Sequence, residues 1–164
     1  MYSLDLTAGL HRPNNDDMQH YHEMVDSKGN LFKGYHAIED NLDCKDGKYA
    51  QHCANGNTGV IGIAVCGMSG FDTHRRLSSS NLTMVQMEKL YERCAELVIK
   101  YSIPIKPETI YTHMEYDSSD KGAHHGKIDI VYIPFLNLYG MKECGDHIRN
   151  KIQVYYDRSK KEKK

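Results

Sequence analysis

Apolar positions recur along this chain with two different periods, and the periods divide it into strands and helices. Residues 60–66, V-I-G-I-A-V-C, are almost continuously apolar, which predicts a central strand buried on both faces. Residues 2–6 predict a short strand ended by Thr7-Ala8-Gly9. Residues 18–26 predict a longer one, with residues 31–35 as its hairpin partner across a Ser27-Lys28-Gly29-Asn30 turn. Before them, Asn15 or Asp16 can cap a short helical turn. Residues 110–114 read as a further strand. The clearest helix covers residues 83–101. Thr83 and Gln86 have capping-box spacing, Leu82 and Met87 stand as a hydrophobic staple, and Met87, Leu90, Cys94, Leu97, Val98 and Tyr101 form one stripe at helical period. Pro104 ends it. A last amphipathic helix is expected over residues 146–158, with Ile148, Ile152 and Tyr155 on one face. Segments 39–58 and 67–81 are polar and irregular. No repeat or interdomain linker interrupts the pattern, so the expectation is one α/β domain, a mixed central sheet flanked by helices, over residues 1–158, with a basic disordered tail at 159–164.

Composition narrows the class. A chain of 164 residues suits one domain, and 26% charged against 40% hydrophobic residues marks a soluble globular protein. A net charge of −1 gives no whole-molecule grip on nucleic acid. No apolar run approaches the roughly 20 residues of a membrane span, and no basic segment leads into an apolar one at the N-terminus. The expected setting is therefore a cytoplasm, without a signal peptide and without stable membrane association. The five cysteines, Cys44, Cys53, Cys66, Cys94 and Cys144, are odd in number and show no C-x-x-C spacing, which points to reduced thiols, with Cys66 and Cys94 in the core.

Ten histidines raise the question of a metal, although no H-x-x-x-H or H-E-x-x-H pattern is present. His11, His74 and His147 lie in polar contexts that suit a surface, and His124-His125 sits between glycines, as in a mobile loop. If residues 19–23 are extended, Tyr21 points opposite to His20 and His22, so that Tyr21 and a histidine of this segment would not enter one site. Asp5 and Thr7 share one face of the first strand and Leu4 and Leu6 the other; a carboxylate there needs a partner. His113 closes the 110–114 run, and Lys127 and Asp129 would share a face if extended. Imidazole and carboxylate are zinc ligands, and a lysine beside them can stabilise an oxyanion. A solvated Lys–Asp pair is the competing reading of the same spacing.

Taken in order, Y-H-E-M-V-D-S-K-G, N-T-G-V-I-G-I-A-V-C-G-M, Y-T-H-M-E and G-K-I-D-I resemble the amidase-2 family, which includes phage lysozyme-amidases and peptidoglycan recognition proteins. The resemblance spans about residues 4–130. It implies that family's fold and a zinc-dependent N-acetylmuramoyl-L-alanine amidase of the phage-endolysin branch. Such an enzyme cuts the amide between the muramoyl lactyl group and L-alanine of peptidoglycan and lyses the host. By the same resemblance, Zn²⁺ is held by Asp5, His113 and Asp129, and Tyr21 and Lys127 place the attacking water or donate to the oxyanion. His52, in Y-A-Q-H-C, resembles a substrate-contacting histidine, with a loop-stabilising role equally open. Asn57 is the second candidate for substrate contact, with shaping the turn into the central strand as the favoured role. Peptidoglycan is then the partner, and a monomer the expected state.

The departure from the family pattern is at the first ligand. Phage members carry H-x-T-A-G where this chain has Asp5-Leu6-Thr7-Ala8-Gly9. Two carboxylates and one imidazole would cancel the formal charge of the ion, leaving a weaker Lewis acid. The alternative reading is a non-catalytic peptidoglycan-binding module with a degraded zinc site.

Overall fold

The computed structural model describes residues 1–9 and 13–164; His11 lies outside the described residues. Strand β4, Val60–Val65, is buried at all six positions, as its apolar run requires. It lies between β2, Glu23–Val25, and β1, Ser3–Thr7, and pairs with both in parallel. Strand β5, Ile110–Thr112, adds in parallel beyond β1, and β3, Leu31–Lys33, pairs antiparallel with β2. The sheet order is β3-β2-β4-β1-β5, so the antiparallel edge strand makes it mixed. The fold is the single-domain α/β architecture expected.

Alternation along the strands assigns the faces. Leu4, Leu6, Ile61, Ile63, Val65 and Ile110 enter one core with Met87, Leu90 and Leu97 of helix α2, Met84–Tyr101, and Ile148 and Ile152 of helix α4, Met141–Glu162. Asp5 is in register with Gly62 on one side and Tyr111 on the other, and these three side-chain positions face away from that core. Helix α2 follows its sequence signals. Thr83 accepts from Gln86 N, and Gln86 Oε1 accepts from Thr83 N. The Gln86 side-chain amide also donates to Val25 O and Cys66 O, joining the helix to the ends of β2 and β4.

Four boundaries differ from the pattern-based expectation, each for a local reason. Residues 18–26 are not one strand. Asn14 and Asp17 cap each other reciprocally and start helix α1, Asn15–His20, so only Glu23–Val25 is extended. The inference from alternation about Tyr21 and its histidines therefore loses its premise. The run at 110–114 stops at Thr112, because Thr112 and Glu115 form another capping box and open helix α3, His113–Asp117. Helix α4 begins at Met141, after Gly140 at φ +130°, and continues to Glu162. Residues 159–162, expected as disordered tail, are thus helical: Lys and Glu are good helix formers, and cations suit a helix C-terminus. A small antiparallel ribbon, β6 (Tyr132–Ile133) and β7 (Leu138–Tyr139), was not anticipated.

Segments 39–58 and 67–81 are mostly irregular, broken by short 3-10 turns at Ile38–Leu42 and Cys44–Asp46. All five cysteines are free, and Cys66 and Cys94 are buried.

Candidate metal centre and active site

The site forms where β1, the start of α3 and the loop before β6 meet. Asp5 projects from the middle of β1 with no exposed side-chain surface. His113 is the first residue of α3, and its position is fixed from behind. The Glu115 carboxylate that caps α3 also takes a two-pronged contact from Arg149 of α4 at 2.9 and 3.0 Å, and Arg149 further donates to Ile110 O at 2.9 Å. Helix α4 approaches closely enough that a Cβ on Gly145 would lie 2.2 Å from Glu115 Oε1, which explains a glycine inside that helix. Asp129 lies in the irregular segment before β6, where its Oδ2 accepts from Ala8 N at 3.0 Å and its carbonyl from Met114 N at 2.6 Å. Segment 126–130 is not a strand, so Lys127 and Asp129 are placed by these contacts and not by alternation.

Three predicted ligands converge. His113 Nδ1 stands 3.9 Å from Asp5 Oδ2 and 3.8 Å from Asp129 Oδ2. Ligand atoms on one tetrahedral zinc are roughly 3.4 Å apart, so the set is a few tenths of an ångström wider than a closed site. Among the described residues, no three His, Cys, Asp or Glu side chains are drawn together tightly enough to hold an ion as they stand. The donor set nevertheless fits zinc in kind: one imidazole and two carboxylates. Asp5 Oδ2, the oxygen that approaches His113, accepts from His52, while Oδ1 is buried without a hydrogen-bond partner among the described residues. Burial raises the Asp129 pKa, against the opposing pull of His113 and of the Ala8 N–H, and a cation beside it would favour the charged form.

Tyr21 follows α1 as its C-cap and faces the same carboxylates. Burial pushes its phenol to about 12, Asp129 and Asp5 push in the same direction, and the Thr7 hydroxyl pulls against them, so the proton stays on the oxygen at neutral pH. Lys127 lines a cavity of about 280 Å³ together with His113, His52, Cys53, Asp117 and His125. Asn57 lines it too, but its Oδ1 is taken by the N–H groups of His52 and Cys53, each at 3.0 Å. The His52 side chain is fully enclosed, with Nδ1 donating to Asp5 Oδ2 at 2.9 Å. Burial, then the nearby carboxylates, raise the Cys53 thiol to about 12, which keeps it a poor nucleophile and a poor ligand.

Residues not singled out from sequence also shape the site. Asp117 accepts from His125 N and Lys127 N, both at 3.0 Å, and these bonds hold its carboxyl below the usual range. It sits four residues after His113, a spacing that shares a helix face, and that signal was available. His125, expected in a mobile loop, is exposed and borders the cavity. His22 packs beneath: its Nδ1 accepts from Gly62 N at 3.0 Å, Nε2 donates to Asn41 Oδ1 at 3.0 Å, and its ring centroid is 6.0 Å from that of His52. His74 is exposed, and His147 is half-buried against Tyr91.

Comparison with known proteins gives one family and one shared fold. The sequence model of the family described as N-acetylmuramoyl-L-alanine amidase, Amidase_2, matches residues 3–129. Among solved structures, the N-acetylmuramoyl-L-alanine amidase LysC from Clostridium intestinale URNW superposes with a TM-score of 0.54 at 15% identity, covering 92% of this chain and 83% of its own. The endolysin N-acetylmuramoyl-L-alanine amidase LysCS from the same organism gives the same TM-score and identity, covering 92% of this chain and 82% of its own. No curated protein matches the sequence.

Proposed function

This chain belongs to the N-acetylmuramoyl-L-alanine amidase family, amidase-2, and from that premise we propose that it is a zinc-dependent amidase acting as an endolysin. The family and the shared fold support amidase activity. The bond cut is the amide between the muramoyl lactyl group and L-alanine of peptidoglycan, and the outcome is lysis of a phage host. The catalytic domain extends through the end of α4 at Glu162 and works as a monomer, accumulating in the host cytoplasm before it reaches the wall. No helix among the described residues is long and apolar enough to cross a membrane.

One observation carries this reading: His113, which lines a cavity, has its Nδ1 within 4 Å of carboxylate oxygens from two other parts of the chain, Asp5 and Asp129. These three would hold the zinc, which when bound supplies a Lewis acid for the scissile carbonyl and for water. The chain's own residues do the rest. Tyr21 keeps its phenolic proton and can donate it in a hydrogen bond to an oxygen that gains charge. Lys127 brings an ammonium to the cavity, on a backbone that Asp117 fixes, and a cation there favours the tetrahedral oxyanion. Ala8 N–H and His113 steady Asp129.

The direct test is metal analysis of purified protein paired with release of L-Ala-terminated peptide from peptidoglycan. About one zinc per chain, with peptide release, is expected. A zinc-free protein that binds peptidoglycan and releases nothing would replace the enzyme by the binding module.

A further inference from the structure

The ring nitrogens of His52 are both turned into the protein. Nδ1 donates to Asp5 Oδ2 at 2.9 Å, and Nε2 stands 3.3 Å from Val60 O. The ring occupies the space over Gly62, the register partner of Asp5 on β4; a Cβ at Gly62 would fall 2.4–2.8 Å from atoms of His52. Asn57 anchors the approach through the His52 and Cys53 N–H groups. The Asp5 side chain has no other hydrogen bond among the described residues, and its Oδ1 is orphaned. A ligating side chain that is not held by an outer partner loses orientation, and such partners typically matter about 10- to 100-fold in metal affinity.

We propose that His52 is a positioning residue of the metal centre, holding the Asp5 carboxylate in the orientation in which it ligates. Gly62 gives the ring its room and Asn57 its anchor. The assignment rests on the reading of Asp5, His113 and Asp129 as zinc ligands. It gives the chain a device suited to a carboxylate at this position: the carboxylate needs a donor on one oxygen to fix it, and His52 is that donor. It also moves His52 from substrate contact to support, since a side chain with no exposed surface cannot touch a sugar or a peptide.

The test is Zn²⁺ affinity of the metal-free protein against a chromogenic chelator, with the visible spectrum of the Co²⁺ form as a second readout. His52→Phe keeps ring volume and deletes the donor; it should weaken Zn²⁺ binding by about 10- to 100-fold and change the Co²⁺ bands. His52→Asn, whose amide can stand where Nδ1–H stands, should recover most of the affinity. In an Asp5→His background the same His52→Phe change should cost no more than about threefold, because the contact under test is gone. Should His52→Phe fail to fold, Gly62→Ala displaces the ring without removing it and should weaken Zn²⁺ binding in the same direction. Parent-like affinity and spectrum in His52→Phe, with metal lost in His113→Ala, would overturn the positioning role and leave the ligands standing. So would an equal loss in both backgrounds. If the parent binds Zn²⁺ no better than His113→Ala, the ligand assignment itself fails and this inference with it.

Discussion

Strand β1 carries two chemistries on alternate residues. Leu4 and Leu6 enter the apolar core under α2 and α4, while Asp5 and Thr7, equally buried, face the cavity side. Polar groups occur on both sides, but they are treated differently. On the helix side Glu23 takes two contacts from Arg93, Gln86 bridges two strand ends, and Arg149 is bonded to Glu115, Asp146 and Ile110 O. On the cavity side, among the described residues, Asp5 Oδ1 lacks a partner; Tyr91 OH is the exception among the helices. The difference teaches where this sequence satisfies its buried polar groups from within and where it leaves one open, as the proposed metal site requires, because an unpaired buried oxygen is costly unless something else compensates.

The sharpest way to break the comparison is to mutate one residue on each side. His113→Ala should reduce zinc content and peptide release to background while the thermal midpoint moves little. Leu90→Ala, fully buried on the helix side, should cost about 2–5 kcal/mol in denaturant unfolding and keep zinc stoichiometry. A His113→Ala protein that clears walls at the parent's rate would place the chemistry elsewhere.

Acid provides the next contrast. Burial, with His52 adding to it, lowers the His22 pKa from 6.5 to about 4; Asn41 and Asp40 oppose this and His36 assists it. The unfolded chain therefore binds more protons than the folded one between those values. Stability from this group is fully present above about pH 6.5 and falls as pH drops toward 4, by about 3 kcal/mol. Unfolding curves across that window should show the loss in the parent and a shallower one in His22→Gln; identical slopes would remove His22 from the account.

Within the cavity, ligands and non-ligands should separate. Lys127→Ala and Tyr21→Phe should each retain zinc and slow turnover on the order of 100-fold. Steady-state peptide release with metal analysis of the same samples decides it, and undiminished turnover in both would show that the family roles do not transfer. The smallest effect belongs to the helix side: Thr83→Ala removes the cap of α2 and should cost about 1 kcal/mol, read as a shifted midpoint with normal activity.

Legibility in the sequence followed the same division. The α2 capping box, its stripe and the β4 run are local signals, and they predicted those elements closely. Helix α1 was expected only as a short turn capped at Asn15 or Asp16, and α3 was missed altogether, although their capping boxes are also local, because strand-like residues beside them suggested extension. On the cavity side, His113, Asp129, Lys127 and Tyr21 entered through family resemblance. Spacing alone could not join residues that meet only through tertiary contacts such as Ala8 N to Asp129. The inward turn of His52 depends on Gly62 and Asn57 together, and no short pattern announces it.

The Arg149–Glu115 contact has a practical side for protein engineers. The stretch that matches the family ends at residue 129, yet the turn bearing His113 is braced by a helix that starts at Met141. A lysin chimera spliced at the end of that match would discard the brace and inherit a loosened turn. Modules joined to this domain at its C-terminal side should therefore be attached beyond α4, with the helix carried over whole.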